Sequence, residues 1–141
     1  MEPTVNLAVT TASLANDLQT LPGDIGAWAS ALADEQHKLY IAELVNNQTK
    51  AEVEAQIRGN PLDFGLAKVT DAAVEAKVTL HPRVQAAEMA AIEAKLAVGS
   101  TKAIVTALDA KRSACKYLTE LIIRGFASPS ITELGIIDND D

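Results

Sequence analysis

The sequence predicts an all-α protein, built of long helices that pack antiparallel as a coiled-coil-like helical bundle and associate as a homo-oligomer. Three observations carry this expectation. Aromatic residues make up only 4% of the chain while alanine supplies 25 of its 141 residues, a balance that suits thin, close-packed helices rather than a sandwich or barrel of bulky β-formers. Apolar residues recur at three- and four-residue spacing over long stretches. Gly and Pro gather at a few places and divide the chain into those stretches. A length of 141 residues suits one domain, and 48% hydrophobic with 22% charged residues is the composition of a folded chain, not of a disordered acidic tail.

Three regions follow in order: a helical N-terminal region over residues 1–60, a helical assembly region over 61–135 and an acidic tail over 136–141. Residues 2–21 carry a weak pattern broken by Thr and Asn, and Pro22-Gly23 reads as a turn. Asp24 then stands as an N-cap before Ile25, Trp28, Leu32 and Leu39 on one helical face, which predicts a first helix over 25–58. Gly59-Asn60-Pro61 stops it, and Asn46-Asn47 marks a point of possible break. Leu66, Val69, Ala73, Ala76 and Leu80 form an a/d stripe of two heptads, a second helix. His81-Pro82 interrupts and restarts it, since proline lacks a donor yet is tolerated in a first helical turn. A third helix runs from Arg83 to about Arg124, with Ile92, Leu96 and Ala103 in one half, Ile104, Leu108, Cys115, Leu118 and Ile122 in the other, and a soft joint at Gly99-Ser100-Thr101. Gly125 is a left-handed C-cap with Phe126 folding back, and Ser128-Pro129 opens a short last helix ending at Gly135. Narrow Ala-rich stripes bury little apolar surface, so copies of the chain are expected to supply the remainder.

The formal charge of −7 is unevenly spread. Residues 1–37 hold five acids and no base, and residues 126–141 hold four acids and no base, so the stretch from Lys38 to Arg124 is net positive. Within it, Lys95, Lys102, Lys111, Arg112, Lys116 and Arg124 face only Asp109 and Glu120, a local charge of +4. A polyanion partner is therefore compatible with an acidic chain, because binding follows local potential, although a tight DNA-coating protein is not. Lys95, Lys102 and Lys116 are seven and fourteen residues apart and Arg112 lies one turn before Lys116, a row that could track phosphates. The same spacing also describes a solvated face of local charge pairs with Asp109 and Glu120. Tyr40, Tyr117 and Phe126 are the available stacking rings, with core or capping roles the simpler account of each.

Catalytic chemistry is sparsely represented. His37 and His81 are far apart with no carboxylate pair at metal-ligand spacing, no phosphate-binding glycine loop is present, and lone Cys115 shares an apolar stripe, so neither an enzyme nor a metal or other cofactor is expected. One cysteine also fits a reducing compartment, the absence of any base before Lys38 argues against a signal or transit segment, and no apolar run is long enough to span a bilayer. The expected location is the cytoplasm, without a membrane partner.

Ile123-Arg124-Gly125-Phe126-Ala127 with Ile131, within the stretch from Leu118, resembles the C-terminal part of the phage recombination mediator UvsY family. Glu75-Ala76-Lys77 with Leu80, Arg83-Val84 and Ala107-Leu108-Asp109-Ala110 resemble it more loosely, so the likeness covers roughly residues 66–131, while the earlier helix with Trp28 and Leu39 shares only the layout. The resemblance implies a non-enzymatic, helical, ring-forming protein, a hexamer or heptamer, that binds single-stranded DNA. Such a protein helps load a RecA-like recombinase onto strands covered by single-strand DNA-binding protein during phage recombination and repair, here in the host cytoplasm. It further implies subunit contacts through Leu108, Cys115, Leu118, Ile122 and Phe126. The family's basic first-helix motif, Leu-Lys-Ala-Arg-Leu, has no counterpart where Ile41-Ala42-Glu43-Leu44 aligns with it. Strand contact then falls to Lys38, Lys50, Arg58, Lys95, Lys102, Arg112 and Lys116, with the acidic tail from Ile136 to Asp141 as a shield of that face. Two other readings use the same helices: a structural or scaffolding assembly protein of a phage, which needs no basic row, and an adaptor or inhibitor whose acidic ends engage a basic protein.

Overall fold

The computed structural model describes residues 5–126, and every regular element among them is helical. α1 spans Leu14–Gly59, a 3₁₀ turn spans Pro61–Phe64, α2 spans Asp71–Leu80 and α3 spans Pro82–Ile123. The short helix expected after Ser128 and the acidic tail lie outside the described residues.

α1 begins well before the expected start. Thr10 and Ser13 cap its entrance reciprocally: the Thr10 hydroxyl accepts from the Ser13 amide at 3.1 Å and the Ser13 hydroxyl accepts from the Thr10 amide at 3.0 Å. Pro22-Gly23 is not a turn, because the helix runs through Pro22, and Asp24 is an interior residue rather than its N-cap. Proline inside a helix forfeits one backbone bond and costs about 3 kcal/mol. Burial of its neighbours offsets that cost: Leu14 and Leu21 are buried and Ile25 and Trp28 are packed on the same cluster. Those residues, with Asp17, recur at three- and four-residue intervals on one face. Asn46-Asn47 causes no break, and Gly59-Asn60-Pro61 does end the helix.

The turn after it closes at Gly65, whose φ of 72° lies in the left-handed region and whose amide donates back to the Leu62 carbonyl. α2 starts at Asp71 instead of Leu66, since Thr70 takes the extended N-cap conformation and its hydroxyl accepts from the Ala73 amide at 3.2 Å. The expected a/d stripe is accordingly not the inner face: Val74 and Val78 are buried, whereas Val69, Ala76 and Leu80 are exposed. His81 joins two helices at once. Its amide donates to the Val78 carbonyl to close α2, and its Nδ1 accepts from the Arg83 amide at 3.2 Å to open α3, with Pro82 in a position that needs no donor. α3 continues unbroken through Gly99-Ser100-Thr101. It ends in a Schellman motif, Phe126 donating to the Leu121 carbonyl and Gly125, at φ 76°, to that of Ile122.

The described chain divides into two compact units, and the division cuts across α1 and α3 instead of falling near residue 60. A terminal unit joins residues up to Leu32 with those from Ser100 onward, and a central unit comprises Ala33–Gly99. The cause is that α1 and α3 pair through residues distant in sequence. In the terminal unit Leu14, Leu21, Leu108 and Cys115 form the buried cluster, with Val5, Val9, Ile25, Trp28, Ile104, Leu118 and Ile122 around it. In the central unit Val53, Ile57, Val74, Val78 and Val84 form the core, with Phe64 and Leu66 beside it. α1 and α3 pass antiparallel there, Lys50 meeting Glu88 and Glu52 meeting Arg83. No helix among the described residues is long and apolar enough to cross a membrane.

Candidate nucleic-acid interface

The seven basic residues expected to contact a strand fall into two groups. Four are engaged by carboxylates: Lys38 with Glu35 at 2.7 Å, Lys50 with Glu88 at 2.6 Å, Arg58 with Glu54 and Asp71 at 2.9 Å each, and Arg112 with Asp109 at 3.1 Å. The hydrogen bond it donates to Glu35 holds Lys38 above its ordinary pKa, and those donated to Asp71 and then Glu54 do the same for Arg58. A phosphate would have to compete with these acids, which lowers the positive potential each base offers. Lys95, Lys102 and Lys116 are exposed and make no ion pair among the described residues. Lys95 belongs to the central unit and Lys102 and Lys116 to the terminal unit, all on α3. The helix fixes the backbone of each and leaves its charge open to solvent, where a polyanion can reach it.

Lys111, part of the same basic segment, does something else. Its ammonium is buried in the terminal unit, 2.8 Å from Asp17 Oδ1 and 2.7 Å from the Asn6 carbonyl oxygen, with both side chains only 7% exposed. Burial pushes the Asp17 carboxyl up, but the hydrogen bonds from Lys111 and Ser13 and the Lys111 charge outweigh it, leaving Asp17 below its ordinary value of 3.8. Asp17 therefore stays ionised near neutral pH, and the contacts of Lys111 to it and to the Asn6 carbonyl pin the segment around Asn6 to α1 and α3. It borders a cleft of about 260 Å³ lined by Asn6, Asn16, Asp17, Asp24, Trp28 and Lys111, among others. Sequence reasoning missed this pair because an isolated acid and an isolated base each read as surface; the only available signal was that Asp17 falls in register with Leu14 and Leu21 on the inner face of α1.

The residues expected as subunit contacts divide as well. Leu108 and Cys115 are 2% and 0% exposed and already packed on Leu14 and Leu21, so they are interior to the protomer and not an open contact surface. Leu118 and Ile122 pack partly on the same cluster, whereas Phe126 is 79% exposed. Burial, and then the Asp17 charge, push the Cys115 thiol above its ordinary value of 9.0, the opposite of what a nucleophile requires. His37 is exposed, His81 is a helix junction, and no group of three metal-ligating side chains forms among the described residues. Tyr40 and Tyr117 are exposed at 60% and 67%, rings on the surface instead of in a core.

Comparison with known proteins returns no matching family model, curated protein or solved structure.

Proposed function

We propose that the chain is a non-catalytic recombination mediator: a self-associating helical protein that binds single-stranded DNA weakly per protomer and assists loading of a RecA-like recombinase onto strands held by single-strand DNA-binding protein. The observation that supports it is the set Lys95, Lys102 and Lys116, exposed on α3 with no carboxylate partner among the described residues, while the bases elsewhere on the candidate surface are paired. The resemblance around Arg124-Gly125-Phe126-Ala127 supplies the biological setting. A protomer of charge −7 binds a polyanion poorly by itself. Assembly of several protomers, as in a ring, turns three modest contacts each into an avid whole, because every later contact is made at high effective concentration.

Fluorescence anisotropy of labelled oligo-dT, with a duplex control, tests this reading. Three phosphate contacts per protomer predict a log–log salt slope of about −2 for each protomer engaged on a single strand. Changing Lys102 and Lys116 together to Glu, which leaves Lys95 in place, should sharply weaken the binding while the assembled mass is retained. Absence of salt-sensitive binding at low ionic strength by an assembled protein would refute it.

A second reading, a structural or scaffolding assembly protein, is favoured by a different observation. Ten of the fifteen large apolar residues left exposed among the described residues lie in the central unit, Tyr40, Ile41, Leu44, Met89, Ile92 and Leu96 among them. A structural protein would assemble and function unaltered by the Lys102 and Lys116 charge reversal.

A further inference from the structure

We propose that the outward row Met89, Ile92 and Leu96 of α3 seats a second copy of this chain, lying antiparallel along the same row. The inference deepens the self-association of the function proposed above and rests on that part of it alone. Within the central unit α3 is apolar on two opposite sides. Its inner side carries buried Val84 and half-buried Ala87, Ala91, Ala94 and Val98. Its outer side carries Met89, Ile92 and Leu96 at 58%, 62% and 70% exposure. Helices of soluble proteins show one apolar stripe, and a second stripe marks a surface that another element covers. The row has the three-four spacing of a coiled-coil seam, with Met89 and Leu96 one heptad apart and Ile92 between them.

The charges beside the row select both the occupant and its direction. Glu88 and Lys95 lie one heptad apart on one flank and Glu93 lies on the other. Parallel copies would set Glu88 against Glu93 of the second copy, like against like. An antiparallel copy centred near Ala91 sets Glu88 against Lys95 of the second copy, and by two-fold symmetry Lys95 against Glu88, so the surface is complementary to itself. Beside the row lies a groove of about 340 Å³, lined by Glu43, Asn46, Glu88, Ala91, Ile92 and Lys95. In it the Asn46 Oδ1 is buried without a hydrogen-bond donor, an acceptor that an incoming Lys95 ammonium could use.

The experiment is the solution mass of the full chain by sedimentation or light scattering, read as multiples of 14.9 kDa. The wild type should be a dimer or larger, and Ile92→Glu with Leu96→Glu should lower the mass by about a factor of two or more without loss of helical circular dichroism. Lys95→Glu alone should weaken assembly, and the charge swap Glu88→Lys with Lys95→Glu, carried with Lys50→Glu so that the pair between positions 50 and 88 inside the protomer is kept, should restore it, which keeps the test decisive even if the apolar variant fails to fold. A monomeric wild type, or a swap no better than the single reversal, overturns the inference. The same samples titrated with oligo-dT separate the two readings: an oligomer broken by Ile92→Glu with Leu96→Glu that ignores the strand refutes the mediator function and leaves the seam standing, and a strand-binding oligomer whose mass these changes leave intact does the reverse.

Discussion

The terminal and central units are made from the same two long helices yet are held together by different means. The terminal unit packs Leu side chains and Cys115 around a buried ion pair, Asp17 with Lys111. The central unit packs Val and Ile around the short α2, and the ion pairs that join its helices, Lys50 with Glu88, Arg83 with Glu52 and Arg58 with Asp71, are at the surface. A buried pair is costly to break and specific in geometry, whereas surface pairs are screened and nearly neutral. The terminal unit is thereby fixed in one arrangement from within. The central unit carries most of the exposed apolar side chains among the described residues.

The sharpest way to break this contrast is Lys111→Ala, which strands the Asp17 carboxylate in the interior and should cost about 3–5 kcal/mol in urea unfolding. The double change Asp17→Leu with Lys111→Met should recover most of that loss, since a well-packed apolar pair is often as stable as a buried ionic one. Core truncation comes next and should be alike in the two units: Leu108→Ala and Ile57→Ala each cost about 2–5 kcal/mol by the same unfolding measurement. A marked inequality between them would show that one unit relaxes around the cavity.

Acidification separates the units more finely. Asp17 has a lowered pKa in the folded chain, so the folded state binds fewer protons than the unfolded one as pH falls toward its ordinary value of 3.8. The stability it contributes is fully present above that value and is lost as pH drops through the lowered folded pKa. Asp17→Asn should flatten this acid limb of the stability curve while reducing stability at neutral pH. Smaller still, Thr70→Ala should cost about 1 kcal/mol through loss of the α2 cap. Arg58→Ala, at an exposed site, should leave the unfolding midpoint unchanged.

What could be read in the sequence was local backbone chemistry. The stop at Gly59-Asn60-Pro61, the restart at His81-Pro82 and the left-handed Gly125 each follow from what a residue's own φ and donors permit, and each is found. Where distant residues decide, the reading failed. Pro22 looks like a turn until Leu21 and Trp28 are seen packed in the cluster of Leu108 and Cys115. Leu66 and Val69 fit a heptad with Leu80, but the Thr70 cap sets the start of α2 and turns Val74 and Val78 inward. Lys111 counted toward a basic surface because nothing near it in sequence announces Asp17. The candidate strand-binding set was legible as a list of bases, not as a potential, since neutralisation of Lys50 by Glu88 and of Arg58 by Asp71 depends on the packing of separate helices.

The long separation between the two halves of the terminal unit sets an order of events during synthesis. Leu14, Leu21 and Trp28 are made well before Leu108, Cys115 and the Lys111 ammonium that grips the Asn6 carbonyl. Everything the central unit needs, from Ala33 to Gly99, emerges in between. The apolar face of Leu14, Leu21 and Trp28 thus waits for its partners while the whole central unit is made, an interval in which a holding chaperone or a neighbouring nascent copy has its best opportunity to intervene.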